Sequence, residues 1–139
     1  DVKSLSLLGN MMAKKAAEDR GAYEALLHTD GVMTEGASTS LFIVADGTLV
    51  TRETGPHILA GVTRELMLEC AEEAGLPALE RPYALDELFA ADEVLVTGTS
   101  FGAYAVVDVD GRRIGVGGPG PVCQELRTRY ALRVKEGRD

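Results

Sequence analysis

Within the first twenty positions apolar residues recur at helical spacing, with Leu8, Met11, Met12 and Ala16 on one stripe, and Asp19-Arg20-Gly21 closes the segment on a glycine. A first helix is therefore expected over Leu5 to Arg20. The period then shortens. β-prone runs follow at Tyr23 to His28, Val32 to Thr34, Ser40 to Ala45 and Thr48 to Thr51, punctuated by Asp30-Gly31 and Asp46-Gly47. Asp-Gly between apolar runs suits a two-residue hairpin turn, which needs positive φ at both central positions. Helical spacing returns from Thr63 to Ala74 and stops at Gly75, with Pro77 beyond it. Leu79 to Tyr83 reads as a strand, Leu85 to Phe89 as a single helical turn, and Glu93 to Thr97 as a compact strand opening onto Gly98-Thr99-Ser100. Tyr104 to Val109 alternates and is expected to pair through Asp110-Gly111 with Arg113-Ile114. A Gly/Pro linker over 115–121 leads to a last helix from Val122 to Val134. The pattern is mixed α/β (α+β) with three main helices, without the regular β-α-β alternation of a doubly wound sheet.

Composition narrows the class. The 139 residues suit one domain, and 45% hydrophobic with 26% charged residues excludes disordered, collagenous and disulfide-scaffold chains. No apolar run approaches the roughly 20 residues of a membrane helix. A net charge of -8 argues against nucleic acid or an anionic membrane as partner, since both call for clustered Lys and Arg. The chain opens on Asp1 with no targeting stretch, and it is expected to be a piece of something longer. Cys70 is expected in the core, on the stripe Val62, Leu66, Cys70, Ala74. Cys123 lies near the start of the last helix. Neither has a CxxC or nearby histidine, which fits a reducing cytoplasm.

Several apparent motifs dissolve on inspection. Gly115-Val116-Gly117-Gly118-Pro119-Gly120 matches GxGxxG, but no second strand or distal acid follows it, and Pro119 and Pro121 remove N–H groups a pyrophosphate would need. Glu72-Glu73 and Asp86-Glu87 read as solvated helix-surface charge. His28 and His57 have no third ligand at metal spacing, so no metal is expected. Nothing resembles a nucleophile elbow.

Four separated pieces stand out. They are Asp1 to Asn10 (DVKSLSLLGN), Thr34 to Phe42 (TEGASTSLF), Ile58 to Arg64 (ILAGVTR) and Ala91 to Ser100 (ADEVLVTGTS). Their order and spacing resemble the C-terminal half of the class IV, fold-type IV pyridoxal-phosphate aminotransferases, nearest to the D-amino-acid aminotransferase branch. The likeness spans essentially the whole chain. It implies the C-terminal pseudo-barrel, cofactor-binding domain of that fold over 1–139, with the family's N-terminal small domain absent from this chain.

The resemblance also implies roles. Lys3 corresponds to the lysine that holds the pyridoxal 5′-phosphate aldehyde as a Schiff base and then shuttles the Cα proton; such a lysine must be partly desolvated to be neutral often enough. Glu35 corresponds to the acid that pairs with the cofactor ring nitrogen, and Ser38 belongs to the small polar segment beside it. Val62, Thr63, Gly98 and Thr99 correspond to phosphate contacts, at a helix N-terminus and a strand mouth where free N–H groups favour a dianion. Leu59 corresponds to a residue packed on the ring. Three departures appear: Ser40 and Ser6 stand where asparagines are usual, and Ala105-Val106 replaces a common Pro-Val. The implied activity is amino transfer between an amino acid, D- or branched-chain, and a 2-oxo acid, in a cytoplasmic enzyme that is a homodimer at full length. Alternatives are elimination of the aminodeoxychorismate lyase type and a folded fragment without turnover.

Overall fold

The computed structural model describes the backbone of residues 2–54 and 61–136 and the side chains of 9–54 and 61–135. Helix α1 (Val2–Asp19) is followed by strands β1 (Leu26–Thr29), β2 (Val32–Gly36), β3 (Ser40–Ala45) and β4 (Thr48–Thr51), then helix α2 (Val62–Glu73). Strand β5 (Ala78–Glu80), helix α3 (Leu85–Ala90), and strands β6 (Glu93–Gly98), β7 (Gly102–Ala105), β8 (Asp108–Val109) and β9 (Arg112–Arg113) precede α4 (Pro121–Glu136). The turn residues behave as their chemistry requires: Asp30-Gly31, Asp46-Gly47 and Asp110-Gly111 all have both residues at positive φ, and each closes a hairpin.

Five strands pair in the order β5-β4-β3-β6-β7, with β1-β2 and β8-β9 as separate hairpins. The β4–β5 pair is parallel and α2 makes the crossover between them, so the chain contains one β-α-β unit. Both faces of the sheet are covered, which is why Leu41 to Val44 is an unbroken apolar run rather than an alternating one. Phe42 and Val44 pack with Met67, Cys70 and Ala71 of α2 and with Cys123 and Leu126 of α4. Leu41 and Ile43 point the other way, to Met33, Tyr83, Leu88 and Val96.

Two sequence expectations need correction. Tyr104 to Val109 is not one strand. Gly102–Ala105 pairs with β6, and Asp108–Val109 then pairs with β9. Alternation shows which residues face inward but not when a chain changes partner. The buried stripe of α2 is also displaced: Cys70 is fully buried as expected, but Val62 is 78% exposed, and Thr63, Arg64 and Met67 lie inward instead. A strict four-residue repeat drifts by about 40° per step on a 3.6-residue helix, so its two ends cannot share one face. The remaining differences are end effects. β5 stops at Glu80, just before Pro82, and α1 begins at Val2 rather than Leu5.

Candidate active site

Beside the end of β6, the β2–β3 connection meets the first turn of α2. A cavity of about 220 Å³ opens there, lined by Glu35, Ser38, Val62, Thr63, Gly98 and Thr99 together with Thr39, Ser40, Gly61, Arg64 and Thr97. Six residues nominated from three separate stretches of sequence thus share one cavity. Lys3 lies by its backbone inside α1 rather than just ahead of a helix, and its side chain lies outside the described residues. Leu59 lies outside them altogether.

Local structure explains why this corner suits an anion. Gly61 precedes α2 in an extended conformation (φ -102°, ψ 146°) and provides no side-chain cap. The first N–H groups of α2 therefore lack the acceptor that a Ser or Asp cap would supply. Thr63, at the second position of the helix, is 6% exposed, and its Oγ1 stands 3.1 Å from that of Thr99. Thr97 lines the same cavity with its Oγ1 buried and without a hydrogen-bond partner among the described residues. A buried hydroxyl without a partner costs free energy unless a hydrogen-bonding group meets it.

Glu35 brings a different chemistry. It is half-buried, and burial alone pushes its carboxyl above the ordinary range, with no hydrogen bond or ion pair among the described residues to pull it back. Such a carboxylate is stabilised by a cationic or N–H partner.

Residues that the motifs did not nominate hold these groups in place. Arg64, 1% exposed, contacts Glu65 at 2.8 Å and Glu80 at 2.7 Å and donates to the Arg52 carbonyl at 2.8 Å, which ties the first turn of α2 to the sheet margin. The Tyr130 hydroxyl donates to the Thr99 carbonyl at 3.0 Å, so α4 anchors the mouth of β6. Gly102, at φ +78°, lies under the Tyr130 ring, where a Cβ would meet Cδ2 at 2.8 Å. Thr39, Ser40, Gly61, Arg64 and Thr97 fall inside the quoted motifs, whereas Gly102 and Tyr130 fall outside them. Arg64 and Tyr130 act through partners too far along the chain for spacing to reveal them.

The Gly115–Gly120 segment plays no such part. The Glu93 carboxylate accepts from the N–H groups of Val122 and Cys123 at 3.1 and 3.0 Å and already occupies the N-terminus of α4. Gly120 is small because it packs on that same carboxylate. A wider groove of about 1210 Å³ runs between α1 and residues 104–111, and none of the six nominated residues whose side chains are described lines it. Among the described residues no group of three His, Cys, Asp or Glu side chains is placed to hold a metal, and no helix is long and apolar enough to cross a membrane.

Comparison with known proteins agrees with this geometry. The family model for amino-transferase class IV matches residues 1–109. D-alanine aminotransferase of Bacillus licheniformis is 40% identical over 128 residues, covering 92% of this chain and 45% of that protein. Its counterpart in Staphylococcus haemolyticus is 39% identical over 130 residues, covering 94% and 46%. Among solved structures, branched-chain aminotransferase from the thermophilic archaeon Thermoproteus uzoniensis with norvaline superposes with a TM-score of 0.85 at 35% identity, covering 92% of this chain and 42% of that one. The chain spans about half the length of the curated relatives it matches.

Proposed function

Because the chain belongs to the class IV aminotransferases, we propose that residues 1–139 are the cofactor-binding domain of a pyridoxal 5′-phosphate-dependent aminotransferase, in which the cavity between β2, α2 and β6 receives the cofactor. The observation that carries this reading is the convergence of Glu35, Ser38, Val62, Thr63, Gly98 and Thr99 on one cavity. Its chemistry fits the group: helix N–H groups without a side-chain cap and threonine hydroxyls suit a phosphate, and a desolvated acid with no partner among the described residues suits a protonated ring nitrogen.

Bound pyridoxal 5′-phosphate supplies an electron sink for negative charge developing at the substrate Cα. The protein's part is binding, orientation and proton transfer. Thr63, Thr99 and the first N–H groups of α2 would hold the phosphate, with Val62 and Gly98 shaping its approach. Glu35 would pair with the ring nitrogen and favour its protonated form. Ser38 donates its hydroxyl proton to Glu24 at 2.9 Å, so toward the cavity it serves as an acceptor. By family likeness Lys3 would anchor the cofactor and take up and return the substrate Cα proton, and Leu59 would pack on the ring.

The amino donor is of the D-alanine or branched-chain class, the names its relatives bear, and the acceptor is a 2-oxo acid. A separate N-terminal domain supplies the groups that read the substrate carboxylate. The full-length enzyme is a homodimer by family likeness, and the buried free thiols of Cys70 and Cys123 suit a cytoplasmic setting. The test is amino transfer itself. Purified full-length protein loaded with the cofactor should move nitrogen from D-alanine or leucine to 2-oxoglutarate in equal amounts, and Lys3→Ala should abolish it. Pyruvate release from aminodeoxychorismate without amino transfer would replace this reading with the lyase.

A further inference from the structure

Glu24 lies outside the four main motifs and lines the wider groove rather than the 220 Å³ cavity, yet among the described residues it is the most heavily hydrogen-bonded carboxylate near the site. Its side chain is 5% exposed. Oε2 accepts from the Ser38 N–H at 3.0 Å, the Ser38 hydroxyl at 2.9 Å and the Thr39 hydroxyl at 3.0 Å. Oε1 accepts from the Ala25 N–H at 2.9 Å and lies 3.5 Å from Lys14 Nζ. Lys14 belongs to α1, about three turns after Lys3, and also donates to the Tyr23 carbonyl at 3.2 Å. One carboxylate therefore holds two consecutive residues of the cavity wall and meets the helix that carries the proposed catalytic lysine.

Gly36 gives an independent sign of the same arrangement. A Cβ there would collide with the Thr39 hydroxyl and approach Glu24 Oε2 at 3.2 Å. The glycine after Glu35 is thus small to admit the Glu24–Thr39 hydrogen bond, a requirement of the wall rather than of any ligand. Burial pushes the Glu24 carboxyl upward, but the four hydrogen bonds it accepts outweigh that and leave it below the ordinary range.

We propose that Glu24 is a positioning residue of this site: its carboxylate fixes Ser38 and Thr39 against the cavity and couples that wall to α1. The consequence for ligand binding rests on the cofactor reading above; the consequence for the wall does not. The experiment follows amide hydrogen exchange and pyridoxal 5′-phosphate affinity in the full-length protein and in Glu24→Ala, Glu24→Gln and Gly36→Ala. In Glu24→Ala the Ser38 amide should exchange about tenfold faster or more, while the β3 amides of Leu41 to Val44 keep their wild-type rates. Cofactor affinity should fall by about tenfold. Glu24→Gln, which keeps an acceptor in place, should recover part of both, and Gly36→Ala should reproduce the Glu24→Ala pattern with the carboxylate still present. Unchanged Ser38 exchange, or equal acceleration at Ser38 and in β3, overturns the proposal. If wild-type protein binds no cofactor, the functional reading fails and the Ser38 exchange alone decides the role of Glu24.

Discussion

The hydroxyls of Thr63 and Thr99, thirty-six residues apart in sequence, stand 3.1 Å from each other and join the first turn of α2 to the mouth of β6. Their closeness makes them one unit. Thr63→Ala and Thr99→Ala are each expected to weaken pyridoxal 5′-phosphate binding by about tenfold, roughly 1.4 kcal/mol, as for a hydrogen bond to a charged group. The double variant should lose less than the sum, because the two residues are in contact. Cofactor titration followed by absorbance measures all three; strict additivity would mean that the pair does not act on a shared ligand group.

Glu35 carries a stability signature with a definite sign. Burial raises its carboxyl in the folded chain, so the folded state holds the proton more tightly than the unfolded one. Stability of the cofactor-free protein should therefore fall as pH rises from the unfolded value through the folded one, and level off above it. Glu35→Gln should remove this dependence and raise the melting temperature of the cofactor-free protein at pH 7. The same variant should slow Cα proton abstraction far more than it weakens cofactor binding. A Glu35→Gln protein that melts lower than wild type without cofactor would contradict the reading of Glu35 as an acid destabilised by burial.

At the opposite end of β6, Glu93 caps α4 through the Val122 and Cys123 N–H groups in a buried setting. Glu93→Ala leaves both donors unsatisfied and should cost about 1–3 kcal/mol in urea unfolding. Added dinucleotide should not restore it. A rescue of the melting temperature by dinucleotide would reopen the Gly115–Gly120 segment as a nucleotide site.

Tyr130→Phe deletes only the hydroxyl that holds the Thr99 carbonyl. A loss of about 1 kcal/mol in stability is expected, with a parallel loosening of cofactor binding. Gly102→Ala should be worse on both measures, because it adds a side chain at φ +78° and drives a Cβ into the Tyr130 ring. Equal cofactor affinity in wild type and Tyr130→Phe would show that α4 does not support the strand mouth.

Much of the fold is readable from the chain because the informative residues act locally. Asp46-Gly47 fixes its hairpin through its own backbone preference, and β3 and β4 begin and end at the expected residues. Glu35, Thr63 and Thr99 can be nominated because each sits inside a short ordered motif. Glu24 cannot, since its partners at Ser38 and Thr39 are brought to it by the β1–β2 hairpin fold and not by any spacing. Arg64 ends one of the motifs, but its burial against Glu80 depends on the parallel β4–β5 pairing, which no local pattern encodes. A four-residue repeat turns Val62 inward, yet it lies outward because the helix does not keep that period.

The decisive measurement is covalent. Full-length protein incubated with pyridoxal 5′-phosphate, reduced with borohydride, digested and mapped by mass spectrometry should carry one phosphopyridoxyl group on the peptide containing Lys3, and Lys3→Ala should carry none. An unlabelled Lys3, or the same labelling in Lys3→Ala, would contradict the assignment of this domain as the cofactor-binding half of an aminotransferase.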